Sequence, residues 1–195
     1  MPFTSGILIG IGETRRERIE SLLALRTANE PFGHIQELII QNFRAKPDTL
    51  MVNAPEPDLN ELLWTIAQAR LIFGSEMNLQ APPNLSPGVF HRIIDSGIND
   101  WGGVSPVTPD FVNPEAPWPH LKNLAEETAR EGKILVERLA VYPSHLKQMD
   151  RWIDVELRPM VLGAIDGEGY VRGEDWAAGE TPNPPAGDLA RVTHI

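Results

Sequence analysis

The chain of 195 residues contains no cysteine, which excludes disulfides, zinc–thiolate sites and iron–sulfur ligation by this polypeptide. Basic charge is scarce: 17 Lys and Arg stand against 27 Asp and Glu, a formal net charge of −10, and the isoelectric point is near 4.9. Nucleic acids and anionic membranes both select a basic face, so neither is expected as a partner. No apolar run approaches the roughly 20 residues of a membrane-spanning helix. No charged-then-apolar leader precedes the first apolar run, and a cytoplasmic location is expected. Internal repeats are missing too. The histidines, His34, His91, His120, His145 and His194, are scattered without metal-ligand spacing, so no metal site and no catalytic role are read in them.

Hydrophobic residues make up 42% of the sequence, enough for one domain with a real core. A small-molecule substrate is the partner class that remains. Met1-Pro2-Phe3 leads at once into an apolar run with no lead-in to protect a sheet edge. The start therefore reads as cut rather than begun, a natural start on an edge-tied strand being the alternative.

Strand and helix patterns alternate from there. Residues 7–11 are apolar and β-branched, as a strand buried on both faces would be, and Thr14-x-x-Glu17 forms a capping box for a helix. That helix is expected to turn Ile19, Leu22, Leu23 and Ala28 toward the sheet. Residues 35–41 read as a second strand. Asp58 and Glu61 cap a second helix with Leu62, Leu63, Ile66 and Ala69 inward, ended by Gly74. Residues 77–81 read as a third strand, and Ser86-Pro87 opens a short helix with Phe90, Ile93 and Ile94 that stops at Gly97. Residues 98–101 read as a fourth strand. A helix is expected over 120–131 with Leu121, Leu124, Ala125 and Thr128 inward, a further outer strand over 133–142, and a helical stretch over 143–162 anchored by Trp152 and Leu157.

Strands separated by helices form βαβ units in a parallel sheet. The fold class expected is α/β, part of a (β/α)8 barrel with a C-terminal helical extension. A closed barrel takes about eight strands, so half is absent or comes from another chain. Residues 1–165 are assigned to the barrel part. The Gly-, Pro- and acid-rich stretch 166–195 is read as a flexible tail or linker.

The chemistry gathers where the strands end. Asn99-Asp100-Trp101-Gly102-Gly103-Val104-Ser105-Pro106-Val107-Thr108 crowds amide, carboxylate, indole and hydroxyl groups onto one loop, as ligand-holding loops do. The other strand ends are polar as well: Gly12-Glu13, Gln41-Asn42, and Gln80 with Asn84. In a barrel these ends share the face that carries catalysis.

Gly6-x-Leu8-x-Gly10-x-x-Glu13 resembles the glycine-rich strand of radical S-adenosylmethionine enzymes. Residues 35–43, the 99–108 loop and Asn113-Pro114-Glu115-Ala116-Pro117-Trp118-Pro119 resemble, more narrowly, the deazaflavin-forming half of the FO synthase family. The likeness runs over about residues 2–176, with the first strand here resembling the fifth of the family barrel. It implies that a [4Fe-4S] cluster and S-adenosylmethionine generate a radical that acts on a tyrosine-derived adduct of ribitylaminouracil, closing the deazaflavin ring. The family holds its cluster with a CxxxCxxC loop, and this chain has neither the loop nor any cysteine. By this resemblance it is a C-terminal portion of the domain, inactive alone, whose partners are the missing N-terminal barrel half and a second, condensing radical half, fused or separate. Two alternatives stay open: a noncatalytic subunit that completes a barrel with a cluster-bearing chain, and an unrelated carboxylate-using barrel enzyme.

The resemblance distributes roles. Leu8, Gly10, Gly12 and Glu13 are assigned to the cofactor wall. The glycines serve equally as a tight strand-to-helix turn, Leu8 equally as core, and Glu13 as an acceptor for backbone N–H groups. Gln41, Asn42, Gln80, Asn84, Asn99 and Trp101 are assigned to the substrate. Helix or loop capping is the alternative for Gln41 and Asn42, and core packing for Trp101. Asp100 is assigned the catalytic role, as an acceptor of a hydrogen bond or proton during ring closure.

Overall fold

In the computed structural model, which describes residues 1–173 apart from 48 and 106, strands β1 (Phe3–Ile9), β2 (Ile35–Asn42) and β3 (Asn78–Gln80) lie parallel in that order. Helices α1 (Arg15–Asn29) and α2 (Leu59–Phe73) are the crossovers between them. The period-2 geometry of a strand splits the side chains between two faces. Ile9, Leu38, Ile40 and Leu79 point to the helices and join Leu22 of α1 with Leu62, Ile66 and Ala69 of α2 in the main core. Burying each large aliphatic side chain there contributes roughly 1.5–3 kcal/mol. The opposite face carries Thr4, Gly6 and Leu8 of β1 in register with Glu37, Ile39 and Gln41 of β2.

Local signals fix the helix starts. Thr14 and Glu17 form the complete capping box of α1, and the Asp58 carboxylate accepts the Glu61 N–H at the start of α2. Glu61 itself serves another purpose, because its carboxylate pairs with Arg15 and Arg18 of α1. Helix α3 (Phe90–Ser96) starts four residues later than Ser86, with Val89 at its N-cap, and ends on Gly97 at φ 119°. Helix α4 (Leu121–Arg130) buries Leu124 and Thr128 as its pattern requires.

Several expectations are corrected. The first strand is Phe3–Ile9, not residues 7–11, because Gly10 at φ 90° turns the chain out of the sheet. Leu23 and Ala28 of α1 lie exposed, while Arg18, a charged residue, takes an inward position. The fourth strand shrinks to one bridge between Gln80 and Asp100. Its ladder is completed by a side chain: Asn99 N–H donates to Leu79 O at 3.1 Å, and Asn99 Oδ1 accepts Leu79 N–H at 2.7 Å. The sheet is therefore open, a partial α/β architecture rather than a closed barrel.

Residues 133–142 form no strand. Their backbone is held by the Gln36 side chain, whose Nε2 donates to Ala140 O at 3.0 Å and whose Oε1 accepts the Tyr142 N–H at 3.2 Å. The stretch expected as helical over 143–162 breaks into α5 (Pro143–Leu146), α6 (Met149–Trp152) and α7 (Arg158–Ala164). Ile153 is extended and Asp154 Oδ1 accepts the Glu156 N–H, an Asx turn that ends the helical run. Trp152 packs against a small second core of Leu146, Ile153 and Ile165, whereas Leu157 is exposed. Residues 166–173 fold back through an Ile165–Val171 bridge and a Val171 N–H bond to Glu137 O. The rest of the expected tail, 174–195, lies outside the described residues. Among the described residues no helix is long and apolar enough to cross a membrane.

Candidate functional site

The turn after β1 is organised by one carboxylate. Glu13 Oε1 accepts the Gly10 N–H at 2.7 Å and Oε2 the Ile11 N–H at 2.8 Å. Arg18, buried on α1, closes the arrangement with bonds of 2.6 Å to Glu13 and 2.7 Å to Glu61. Burial opposes the charge on Glu13, but the Gly10, Arg18 and Ile11 donors outweigh it and hold the carboxyl below its ordinary value. A Cβ at Gly10 would meet the Pro57 ring at 2.4 Å, while one at Gly12 would meet nothing within 4 Å. Gly10 is thus glycine for packing as well as for its positive φ, and the space over Gly12 is open. Leu8 and Ile11, close to the turn in sequence, are 42% and 50% exposed.

A second network sits on the face of Thr4 and Glu37. Tyr142 Oη lies 2.6 Å from Glu37 Oε1 and 2.7 Å from Asp100 Oδ2. Arg138 Nε donates to Asp100 Oδ2 at 2.5 Å, and its Nη2 to Glu37 Oε1 at 3.2 Å and to Tyr142 Oη at 2.8 Å. Thr4 Oγ1 donates to Glu37 Oε2 at 2.8 Å. Burial pushes the Glu37 carboxyl above its ordinary value, and the Asp100 carboxylate adds to the rise while Tyr142, Arg138 and Thr4 work against it. Burial pushes the Tyr142 hydroxyl strongly upward, with Asp100 and Glu37 adding to it, so the phenol stays protonated.

Asp100 also shapes its own loop. Its Oδ1 accepts the Gly102 N–H at 2.5 Å. Gly102 sits at φ 77°, a conformation L side chains rarely adopt, and a Cβ there would also displace the Gln80 amide, 1.8 Å away. Trp101 is 2% exposed, set edge-on to Phe90 at 5.3 Å, and its Nε1 donates to Thr128 Oγ1 at 3.2 Å. Its ring lies in the core, the packing alternative for this residue. A cavity of about 770 Å³ lies between the 100–104 loop, Leu121 and Leu124 of α4, and Leu135 with Arg138.

The remaining sequence candidates fall at the strand ends without forming one cluster. Gln41 is half-buried. Asn42 Nδ2 donates to Leu85 O at 3.5 Å, Gln80 is buried under Gly102, and Asn99 is occupied with Leu79 and with Arg70 Nη2 at 3.0 Å. Asn84 donates to Asp110 and Ala116. Sequence reasoning missed Glu37, Arg138, Tyr142 and Arg18. Glu37 carried a signal, the one charged residue of β2; Arg138 and Tyr142 carried none, because they reach Glu37 across more than 100 residues.

The residues test what the site can hold. With no cysteine in the chain, and among the described residues no group of three or more His, Asp or Glu side chains placed for a metal, the chain does not fit an iron–sulfur cluster. Leu8 and Ile11 leave apolar surface exposed at the turn, and a Cβ at Gly12 would meet nothing within 4 Å. Glu13 already takes the Gly10 and Ile11 N–H groups, so those two donors belong to the turn.

Parallel strands with helical crossovers and polar residues at the strand ends define a partial, open α/β unit. Comparison with known proteins gives the relationship more closely. FO synthase of Streptomyces coelicolor is 53% identical over 175 residues, covering 90% of this chain and 20% of that protein. FO synthase of Mycobacterium tuberculosis (strain CDC 1551) is 48% identical over 167 residues, 85% of this chain and 20% of the relative. The 7,8-didemethyl-8-hydroxy-5-deazariboflavin synthase of Methanopyrus kandleri is 46% identical over 172 residues, 88% of this chain and 51% of that protein. No family model matches the chain, and no solved structure matches it. The chain is thus homologous to the FO synthase family over most of its own length, and spans about a fifth of the first two relatives and half of the third.

Proposed function

We propose that this chain forms the C-terminal side of the deazaflavin-forming barrel of an FO synthase and works together with a cluster-bearing part that it does not itself contain. The observation that carries the reading is the 53% identity to an FO synthase over 90% of the chain. The open sheet supports it, because among the described residues β1 pairs on one side only, with β2, and Leu8 is exposed. Bound S-adenosylmethionine would supply a hydrogen-abstracting radical, chemistry that belongs to the cofactor.

This chain's own residues bind, orient and exclude water. Leu8, Gly10 and Gly12 form the cofactor wall, and Glu13, locked by Arg18, holds the turn in shape. Gln41, Asn42, Gln80, Asn84 and Asn99 line or brace the polar rim that faces the substrate. Asp100 acts on the substrate side as an acceptor, and Trp101 anchors its loop in the core. Arg138 and Tyr142 fix the direction of the Asp100 carboxylate, a support that reactive groups need in order to stay within a productive geometry.

The chain alone, reconstituted anaerobically with iron and sulfide, stays colourless and releases no deoxyadenosine from S-adenosylmethionine. Stoichiometric cluster absorbance with deoxyadenosine release overturns the division of labour proposed here.

A further inference from the structure

Glu37 Oε1 and Asp100 Oδ2 both lie against one phenol oxygen, 2.6 Å and 2.7 Å from Tyr142 Oη. Oxygens that close hold a hydrogen between them, since O–H···O bonds span about 2.5–3.0 Å. Tyr142 supplies one hydrogen, and burial keeps it on the phenol. Arg138 Nη2, donating at 2.8 Å, occupies one lone pair of the same oxygen. One donor and one lone pair are left for two carboxyl groups, so one carboxyl accepts from Tyr142 and the other must donate to it. The junction therefore holds a proton beyond the one on the phenol.

The donors around each carboxyl decide which one carries it. Asp100 Oδ2 accepts Arg138 Nε at 2.5 Å and Oδ1 accepts the Gly102 N–H at 2.5 Å, so both of its oxygens already face hydrogens. Apart from Tyr142, Glu37 Oε1 meets Arg138 Nη2 at the longer distance of 3.2 Å, and Oε2 accepts the neutral Thr4 hydroxyl at 2.8 Å. Charge agrees with the assignment. Among the described residues Arg138 is the one cation paired with either carboxyl. One ionised carboxylate balances it, and a second would be buried without a counter-charge, which is costly. Burial and the Asp100 carboxylate both push the Glu37 carboxyl upward. Tyr170, which also senses Asp100, stays a neutral phenol because burial, with Glu168, Asp166 and Asp100, raises it.

We propose that Glu37 carries this proton and is a positioning residue for Asp100: Glu37 Oε1–H donates to Tyr142 Oη, and Tyr142 donates its own hydrogen to Asp100 Oδ2, which stays ionised. Asp100 is aimed, and kept an acceptor, by a proton it does not itself carry. The bearing on catalysis rests on the acceptor role given to Asp100 under the proposed function. When Glu37 ionises as pH rises, Tyr142 has one hydrogen for two carboxylates, and Asp100 loses its fixed donor.

The test has a protonation arm and an activity arm. In the unmodified chain, ¹³C NMR of the glutamate side-chain carboxyls across a pH titration is expected to show Glu37 still protonated after Glu13, Glu56 and Glu61 have ionised. Asp100→Asn removes the neighbouring negative charge and is expected to move the Glu37 titration to lower pH. A Glu37 that ionises together with those three overturns the proposal, and so does a Glu37 titration that Asp100→Asn leaves in place. The activity arm uses the Streptomyces coelicolor FO synthase carrying this chain in place of its matching segment. There Glu37→Gln offers Tyr142 Oη an amide N–H where the acid O–H stood, and Glu37→Leu offers none. Deazaflavin formation is expected to fall with rising pH in the parent as Glu37 ionises, to lose that fall in Glu37→Gln, and to drop severalfold in Glu37→Leu. Identical pH profiles for the parent and Glu37→Gln overturn the positioning role. A chimera that forms no deazaflavin in any variant counts against the proposed function alone, because the protonation arm reads Glu37 without activity.

Discussion

Tyr142 Oη lies 2.7 Å from Asp100 Oδ2, joining residues 42 apart in sequence. The same oxygen is 2.6 Å from Glu37 Oε1, and a phenol has a single proton to donate. Two carboxylates therefore compete for one hydroxyl hydrogen, with the Arg138 guanidinium bonded to both. This junction ties the segment after α4 to the sheet and sets the direction of the loop that begins at Asp100.

Removing the hydroxyl tests the tie. Tyr142→Phe keeps the ring over which Arg138 stacks at 3.8 Å and deletes the hydroxyl, both its single donor and its acceptance of Arg138 Nη2. It is expected to destabilise the chain by about 1–3 kcal/mol, since the buried carboxylate pair loses its one shared O–H donor and Arg138 loses an acceptor. Urea unfolding followed by circular dichroism measures the change, and an unaltered midpoint contradicts the role given to the hydroxyl.

The Glu37 carboxyl gives a signed pH dependence. Its folded pKa is raised by burial, so its contribution is fully present below its unfolded value near 4.5 and is lost as pH rises through the raised folded value. Glu13, Glu56 and Glu61 are shifted downward, and their contributions are present above the unfolded value and fade as pH falls. The difference between the unmodified chain and Glu37→Gln isolates the first effect. Stability of Glu37→Gln relative to the parent is expected to rise as pH increases from 4.5 toward neutrality. A flat difference across that range rules out a raised Glu37.

At the turn after β1, Glu13→Ala removes the acceptor of two backbone N–H groups and the partner of buried Arg18. The expected loss is about 1–3 kcal/mol. Hydrogen exchange at the Gly10 and Ile11 amides is expected to accelerate more than at Ile40 in the sheet core. Equal acceleration throughout indicates a general loss of stability with no special role in the turn.

Trp101→Ala opens a large cavity beside Phe90 and is expected to cost about 3–5 kcal/mol. Trp101→Phe keeps most of the packing and loses the bond to Thr128 Oγ1, so its cost is near 1 kcal/mol. Thermal or urea unfolding of the pair distinguishes core anchoring from ligand stacking, because a stacking residue exposed to ligand leaves both variants near the parent.

Much of the fold was legible because its signals are local. Thr14 and Glu17 capped α1, Asp58 capped α2, and Gly74 and Gly97 ended their helices where the pattern placed them. The three parallel strands followed from apolar runs between those helices. The fourth strand and the 133–142 segment were misread because side chains replace the ladder there: Asn99 answers Leu79, and Gln36 holds Ala140 and Tyr142. No pattern of propensities records such substitutions. In the site, the loop at Asp100 was visible from its composition, but the partners that fix it were not, since Arg138 and Tyr142 sit in a stretch without regular structure and meet Glu37 only through tertiary folding. Arg18 escaped for the opposite reason: a charged residue on a helix is ordinarily solvated, and this one is buried against Glu13, Glu61 and Thr65.

In the proposed function this chain supplies cofactor and substrate walls to a deazaflavin-forming barrel and no part of its cluster. The direct measurement replaces the matching segment of the Streptomyces coelicolor FO synthase with this chain and follows deazaflavin fluorescence and deoxyadenosine release together, for the parent chimera and for its Asp100→Asn variant. The chimera is expected to form both products, and Asp100→Asn to keep deoxyadenosine release while losing most of the fluorescence. A folded chimera that releases deoxyadenosine without forming deazaflavin, or an Asp100→Asn variant that leaves both at the parent level, contradicts the proposed function.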